Sequence, residues 1–278
     1  MCETLKVEVL MSVMHQENFD IAYKTKINSD LLIINQCDKN DYAEKIVNGH
    51  LWRMILTTQR GLSKSRNLAL ENATGDICLF CDDDEELIDG YEVTILKAFK
   101  DLPDATGIVF NVNRINNNLK KSYYIITKIR QTPFYRAYGS PMLAIYRHKI
   151  QKAGIKMNEK FGSGTEWGGG EDSLFEHDIR RAGLKLYEYP ETIATIDYGT
   201  ASQWFQGYNE KYFYNLGAFC EYRYGKNVFM KEMRKIYSCY RLRREKRINL
   251  WMKIQWMNLG AKGIRENVAY SEFVERRK

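Results

Sequence analysis

RGLSKSRNLALENATGDICLFCDDDEEL, residues 60–87, is the stretch on which the reading of this chain turns. Leu62–Ala73 reads as a helix, with Gly61 before it and Gly75 as a C-terminal stop. Asp76–Cys81 reads as a strand and runs directly into Asp82, Asp83, Asp84, Glu85 and Glu86. Adjacent carboxylates repel one another, so such a cluster is costly without a cation. Hard cations such as Mg²⁺ and Mn²⁺ take oxygen ligands, often carboxylates together with substrate phosphates. Alternate residues of an extended segment share a side, so Asp82 and Asp84 can address one ion. The plain alternative is a solvated acidic turn whose carboxylates complement the next helix N-terminus.

Outward from this stretch, short apolar runs alternate with helices. Val7–Val13, Leu31–Asn35 and Trp52–Thr57 precede it as strands. Leu87–Leu102 follows as a helix and Thr106–Asn111 as a strand. Such alternation implies an α/β fold with a mostly parallel, doubly wound sheet. Sheets of that kind bind ligands at the carboxyl ends of their strands, where the acidic cluster lies. Residues 112–140 are polar and irregular and give no assignment. Beyond them, Leu143–Tyr146 is a short strand, and FGSGTEWGGGED (residues 161–172) is Gly-rich. Asp172–Ala182 reads as a helix stopped by Gly183, with Leu184–Tyr189 and Ile193–Ile196 as short strands. From Asn209 the pattern is helical, with Phe213, Leu216, Cys220 and Tyr224 at spacings of three and four.

Composition sets the bounds. The 278 residues are 44% hydrophobic and 28% charged, which argues against bulk disorder. No apolar run approaches the ~18 residues of a spanning helix. The N-terminal MCETLKVEVLMSVMHQENFD lacks the basic start and apolar block of a secretory signal, so a cytoplasmic location is expected. Six scattered cysteines suggest no disulfide framework. Cys78 and Cys81 have CxxC spacing, but positions three apart on a strand face opposite sides. Residues 223–278 carry 16 Lys and Arg against 5 Asp and Glu, a larger excess than the whole chain's +7. The rest of the chain is therefore mildly acidic, which argues against a nucleic-acid-binding protein.

The stretch at residues 60–87 resembles the central segment of family 2 glycosyltransferases with the GT-A fold. That family has a G-L-S-x-x-R-N helix, a G-D-hydrophobic strand and a D-x-D motif. Gly168–Phe175 (GGGEDSLF) resembles the family's G-E-D motif, in the right order and about 90 residues downstream. The resemblance covers roughly residues 5–200 and implies a GT-A catalytic domain over 1–205. Residues 206–278 would form a basic, aromatic-rich helical extension. It further implies an inverting enzyme that moves one sugar from a nucleotide-diphosphate donor. The role implied is the synthesis of a bacterial surface polysaccharide such as capsule or lipopolysaccharide.

The implied roles fall on particular residues. Asp82 and Asp84 stand where the D-x-D residues hold Mn²⁺ or Mg²⁺ against the donor diphosphate, with Asp83 between them, and Asp82 and Asp83 are expected to contact the donor. Arg66 and Asn67 lie where the family's residues approach the nucleotide. Arg66 would meet a phosphate or, in the plainer reading, pair with the acidic loop. Asp172 matches the general base of inverting members, which takes the acceptor hydroxyl proton. Glu171 would shape the site or contact the acceptor. The plainer reading makes both acids helix caps. Gly168, Gly169 and Gly170 would allow close approach of the acceptor, and Trp167 would supply a sugar platform or a core ring.

The chain departs from the family at several points. Met14-His15-Gln16-Glu17 replaces the usual end of the first strand. Asp38, assisted by Asn35 or Gln36, stands near the position that reads the base, with uridine, and so a UDP-sugar, as the default. Asp197 or Tyr198 replaces a common His. Ser202-Gln203-Trp204-Phe205 does not match the Q-x-x-R-W of processive synthases, so a non-processive enzyme is expected. In the tail, RLRREKR (residues 241–247) precedes a helical face of Ile248, Met252, Trp256 and Leu259. The segment 241–259 would either lie on an anionic membrane, near a lipid-linked or other saccharide acceptor, or pack on the body. Two other functions compete: a nucleotidyltransferase, which would need a phosphate loop absent from LMSVMHQEN, and a non-catalytic sugar-binding or scaffold protein.

Overall fold

Strands rich in Ile, Leu, Val and Phe, separated by helices, assemble into one mixed sheet. The computed structural model describes residues 5–116, 124–197, 207–225, 227–241 and 248–277. The strands are β1 (Val7–Met14), β2 (Asp30–Gln36), β3 (Asp41–Val47), β4 (His50–Thr57), β5 (Ile77–Cys81), β6 (Glu85–Leu87), β7 (Gly107–Ile115), β8 (Arg130–Gln131), β9 (Leu143–Tyr146) and β10 (Leu186–Asp197). Between them run α1 (Asp20–Lys24), α2 (Leu62–Asn72), α3 (Tyr91–Asp101), α4 (Arg147–Lys152) and α5 (Glu171–Arg181). The sheet order is β3-β4-β2-β1-β5-β9-β7-β10-β6, with β8 paired to β10. Its heart, β4-β2-β1-β5, is parallel, and β9 is inserted antiparallel between β5 and β7. Met14 pairs with Gln36 and Gln36 with Thr57, while Met11 pairs with Cys81. The carboxyl ends of four strands therefore meet at one edge, which is where a ligand would sit.

Strands β1, β2 and β5 are almost entirely buried. Every residue of β5 is buried, and burial pushes up the Cys78 and Cys81 thiols. The buried acid there, Glu8 on β1, is fully engaged. Its Oε1 accepts from Arg53 at 2.5 Å, and its Oε2 accepts the Thr74 and Gly75 N–H groups at 2.6 and 2.8 Å. A Cβ on Gly75 would lie 2.5 Å from the Glu8 Cβ, so this turn needs glycine for close approach.

The structure differs from the sequence expectations at identifiable places. Asn48-Gly49, both with positive φ, turns β3 into a hairpin with β4. Asn-Gly is a strong hairpin signal, one that hydrophobic periodicity does not carry. Helix α3 starts at Tyr91 instead of Leu87, because Glu85–Leu87 pairs with β10. From Leu186 on, the runs 184–189 and 193–196 belong to the single strand β10, with register shifts between Glu188 and Ala194 that accommodate Pro190. Part of the unassigned region, 124–142, is held by side chains. Asn111 makes a pair of bonds with the Ile126 backbone, and buried Glu188 accepts from Arg130, Tyr124 and Tyr138. Burial alone would raise the Glu188 carboxyl, but these donors outweigh it and hold it below its ordinary value.

The chain divides into two compact units. The first comprises residues 1–158 and 172–201, the second residues 159–171 and 202–278. The second unit contains α6 (Glu210–Tyr224), α7 (Val228–Arg241), α8 (Leu250–Glu266) and α9 (Tyr270–Glu275). Asn209 and Asn249 cap α6 and α8 by accepting the Tyr212 and Met252 N–H groups, each at 2.9 Å. Helices α6 and α8 cross backbone to backbone. A Cβ on Gly217 would fall 1.9 Å from the Met257 carbonyl oxygen, and one on Gly260 would fall 1.7 Å from that of Tyr214.

The face left open between a membrane and packing on the body packs within this unit. Trp256 packs against Tyr270 and Phe273, and Ile248 is buried. The apolar residues that α8 leaves exposed are Leu250 and Trp251, on its first turn. Among the described residues no helix is long and apolar enough to cross a membrane. Tyr198, residues 202–205 and most of the 241–247 block lie outside the described residues.

Candidate active site

The site is assembled at the carboxyl ends of β1, β2, β4 and β5. Several polar residues there hold the loops. The Asn35 side chain is fully buried, accepting the Gln16 N–H at 3.0 Å and donating to its carbonyl at 2.6 Å. Gln36 accepts the Gly61 N–H at 2.7 Å and so fixes the entry to α2. Both ends of the Asn35 amide and the oxygen of the Gln36 amide, expected to assist in reading a base, bond to backbone here. Asp38 is exposed and pairs with Arg60 at 2.7 Å. Arg60 also donates to the Cys37 and Thr57 carbonyls and ties the ends of β2 and β4 together.

Helix α2 carries Arg66 and Asn67 on its buried side. The Asn67 amide accepts from Met157 N–H at 2.8 Å and donates to its carbonyl at 2.9 Å. The structure thus places Asn67 as an anchor for the 155–158 segment, because both ends of its amide bond backbone. Arg66 is only 3% exposed and lies over the Phe80 ring. Its Nη2 donates to Asp82 Oδ1 and its Nη1 to Asp172 Oδ1, each at 2.8 Å. One guanidinium therefore joins the end of β5 to the start of α5, bringing together residues far apart in the chain. The Ser140 hydroxyl donates to the same Asp172 oxygen.

Asp82, Asp84 and Glu85 present carboxylate oxygens all within 4.8 Å of one another. Asp83, between them, is exposed. Glu85 is 1% exposed, and neither of its oxygens makes a well-formed hydrogen bond. Burial, then the Asp82 charge, holds its carboxyl well above the ordinary value, against the pull of the Asp82 backbone N–H. Asp84 is exposed as a residue, yet the protein crowded around it desolvates its carboxyl. The Asp82 and Asp83 charges add to this, and the carboxyl is pushed up. Like charges and an unsatisfied buried carboxyl are what a hard cation would relieve, so the donor set fits Mn²⁺ or Mg²⁺. Sequence reasoning missed Glu85, which the acidic run had already offered. It also missed Ser140, which lay in the unassigned region.

Glu171 and the residues before it belong to the second unit. Glu171 is buried and accepts the Gly170 N–H at 2.9 Å. A Cβ on Gly170 would meet the Phe219 ring at 2.8 Å, whereas Gly169 has open space apart from the Glu171 carboxylate at 3.9 Å. Trp167 is 5% exposed and stacks on Tyr214 with ring centroids 6.0 Å apart. Of its two readings the structure supports the core ring, because a covered face offers a sugar no platform.

An α/β sheet with carboxylates converging at its carboxyl edge is the architecture in which ligands bind at the strand ends. A model of glycosyl transferase family 2 matches residues 7–174, and the chain belongs to that family. It is a glycosyltransferase, and the nucleotidyltransferase and scaffold alternatives give way to that reading. Residues 1–349 of S. aureus TarS, solved in complex with UDP-GlcNAc, are similar in fold. The TM-score is 0.64 at 13% identity, over 92% of this chain and 79% of that one. The same fragment without that ligand matches with a TM-score of 0.62 at 13% identity, over 95% and 82%. Its complex with UDP matches with a TM-score of 0.60 at 12% identity, over 98% and 92%. No curated protein matches the chain by sequence.

Proposed function

We propose that this chain transfers a single sugar, with inversion, from a nucleotide-diphosphate donor to a saccharide acceptor, free or lipid-linked. The observation that carries the reading is Arg66 gripping Asp82 and Asp172 at once. It sets the acid expected to act as base beside the carboxylates expected to face the diphosphate. Asp172 takes the acceptor hydroxyl proton as that oxygen attacks the anomeric carbon. One Asp172 oxygen accepts from Arg66 and Ser140, and the other would take the proton. Inversion needs a single in-line displacement and no protein nucleophile. Asp82, Asp84 and Glu85 would hold a divalent cation, which supplies charge neutralisation to the departing diphosphate. Asp38 and Arg60 frame the edge where the base would lie, and uridine is the base we favour. The resemblance to family members of bacterial surface-polysaccharide synthesis supports that setting, and 1–205 with 206–278 remains our functional division.

A thermal-shift series with UDP, GDP, CDP and TDP, each with Mn²⁺ and with EDTA, tests the reading. Ligands that bind the native state raise the melting temperature by mass action. A shift with UDP that needs Mn²⁺ and is lost in Asp84→Ala is the expected result. No shift with any nucleotide would overturn the donor assignment.

A further inference from the structure

Helix α7 is turned with its polar side inward. Lys235 is 7% exposed, and its ammonium donates to Glu232 at 2.9 Å and to Asn258 at 2.7 Å. Ser238 and Cys239 are buried beside it, and Lys231 pairs with Glu221 at 3.0 Å. The apolar stripe faces out. Met233, Ile236 and Tyr237 follow helical spacing and are all exposed, Ile236 to 60%, and Tyr240 one turn on is exposed as well. The next helix opens with Leu250 and Trp251, the latter 68% exposed. A surface helix ordinarily buries its apolar stripe, and a run of large exposed apolar residues marks a surface with a partner.

We propose that this stripe docks on an anionic lipid surface. Tyr and Trp carry an apolar ring with a polar tip and settle at headgroup depth, with Ile and Met below them. Charge selects the occupant. Residues 223–278 hold 16 Lys and Arg against 5 Asp and Glu, and RLRREKR separates α7 from α8 along the chain. On α7 itself, the Arg234 guanidinium lies 5.4 Å from the Tyr237 ring centroid. Cationic side chains beside interfacial rings suit acidic headgroups. A second copy would bring another net-basic 223–278 segment towards this one, which opposes pairing. The proposal does not depend on the donor reading, since none of these residues belongs to the site on the sheet.

Co-sedimentation of the full chain with vesicles tests it. Vesicles of phosphatidylglycerol mixed with phosphatidylcholine are compared with phosphatidylcholine alone, at low and high salt. The chain is expected to bind the anionic vesicles preferentially and to release in high salt. Ile236→Ser/Tyr237→Ser is expected to weaken binding about tenfold or more. Its melting temperature and nucleotide-dependent thermal shift should stay unchanged. Met233→Ser/Trp251→Ser, spread over two helices, is expected to do the same. Failure of the wild-type chain to bind anionic vesicles would overturn the proposal, and so would undiminished binding by both variants. Light scattering that shows a dimer broken by these substitutions would overturn it too, in favour of a second copy. Absence of any nucleotide shift would sink the donor reading and leave this result standing.

Discussion

Replacing Arg66 by Met keeps an unbranched stem over Phe80 and removes the charge that two carboxylates share. The Arg66 side chain is 4% exposed, while those of Asp82 and Asp172 are 35% and 25% exposed. Breaking a buried pair costs about 3–5 kcal/mol, because an uncompensated charge stays behind. Here water reaches both carboxylates, so the lower end applies, about 3 kcal/mol for the two bonds together. For a unit of this size that is a fall in melting temperature of roughly 6–12 °C. Most of the loss is the stranded carboxylates, so it should not be additive. Arg66→Met/Asp172→Asn is expected to recover at least about 1 kcal/mol relative to the sum of the single variants. Urea unfolding of the four proteins, without nucleotide or divalent cation, measures the coupling. A loss below about 1 kcal/mol in Arg66→Met, or strict additivity in the double variant, would refute the shared-clamp argument.

Other expectations follow from single contacts. Burial, against the opposing pull of Arg180, raises the Glu176 carboxyl to about 8. The folded state then holds a proton that the unfolded chain has lost, so stability falls as pH rises from about 4.5 towards 8. Glu176→Gln should flatten that decline in urea titrations taken across the window. Gly217→Ala would drive a methyl group into the Met257 carbonyl, so α6 and α8 must part. A loss of about 1–3 kcal/mol, or more, is expected in thermal unfolding. Asp83→Ala, at an exposed position, should leave the Mn²⁺ dependence of nucleotide binding intact, whereas Asp84→Ala and Glu85→Gln should both abolish it in calorimetric titration. Ser140→Ala should lower kcat about tenfold or less with little change in donor KM, because it frees Asp172 to turn without touching the donor.

Much of the first unit was legible because its signals are local. The runs at β1, β2, β4 and β5 are continuous and apolar, as buried parallel strands must be. The helix at 62–72 and the acids just after Cys81 follow from spacing and punctuation alone. The 124–142 segment was not legible, because its order comes from Asn111 and Glu188 reaching across the sheet. Trp167 and the 248–259 face were ambiguous for a related reason. Periodicity identifies an apolar face without saying what covers it, and here Tyr214, Tyr270 and Phe273 decide.

The amino-acid sequence by itself determined the parallel heart of the sheet, the position of the Asp82–Asp84 cluster at a strand end and the motif order that marks the family. Each rests on neighbours in the chain, so backbone sterics and side-chain alternation suffice. Only the tertiary structure decided that Arg66 ties Asp82 to Asp172, that Glu85 is an unsatisfied buried acid and that α7 wears its apolar stripe outward. Those outcomes depend on which distant surfaces meet. A buried charge is tolerated, and an apolar stripe hidden or shown, according to what the folded chain places against it.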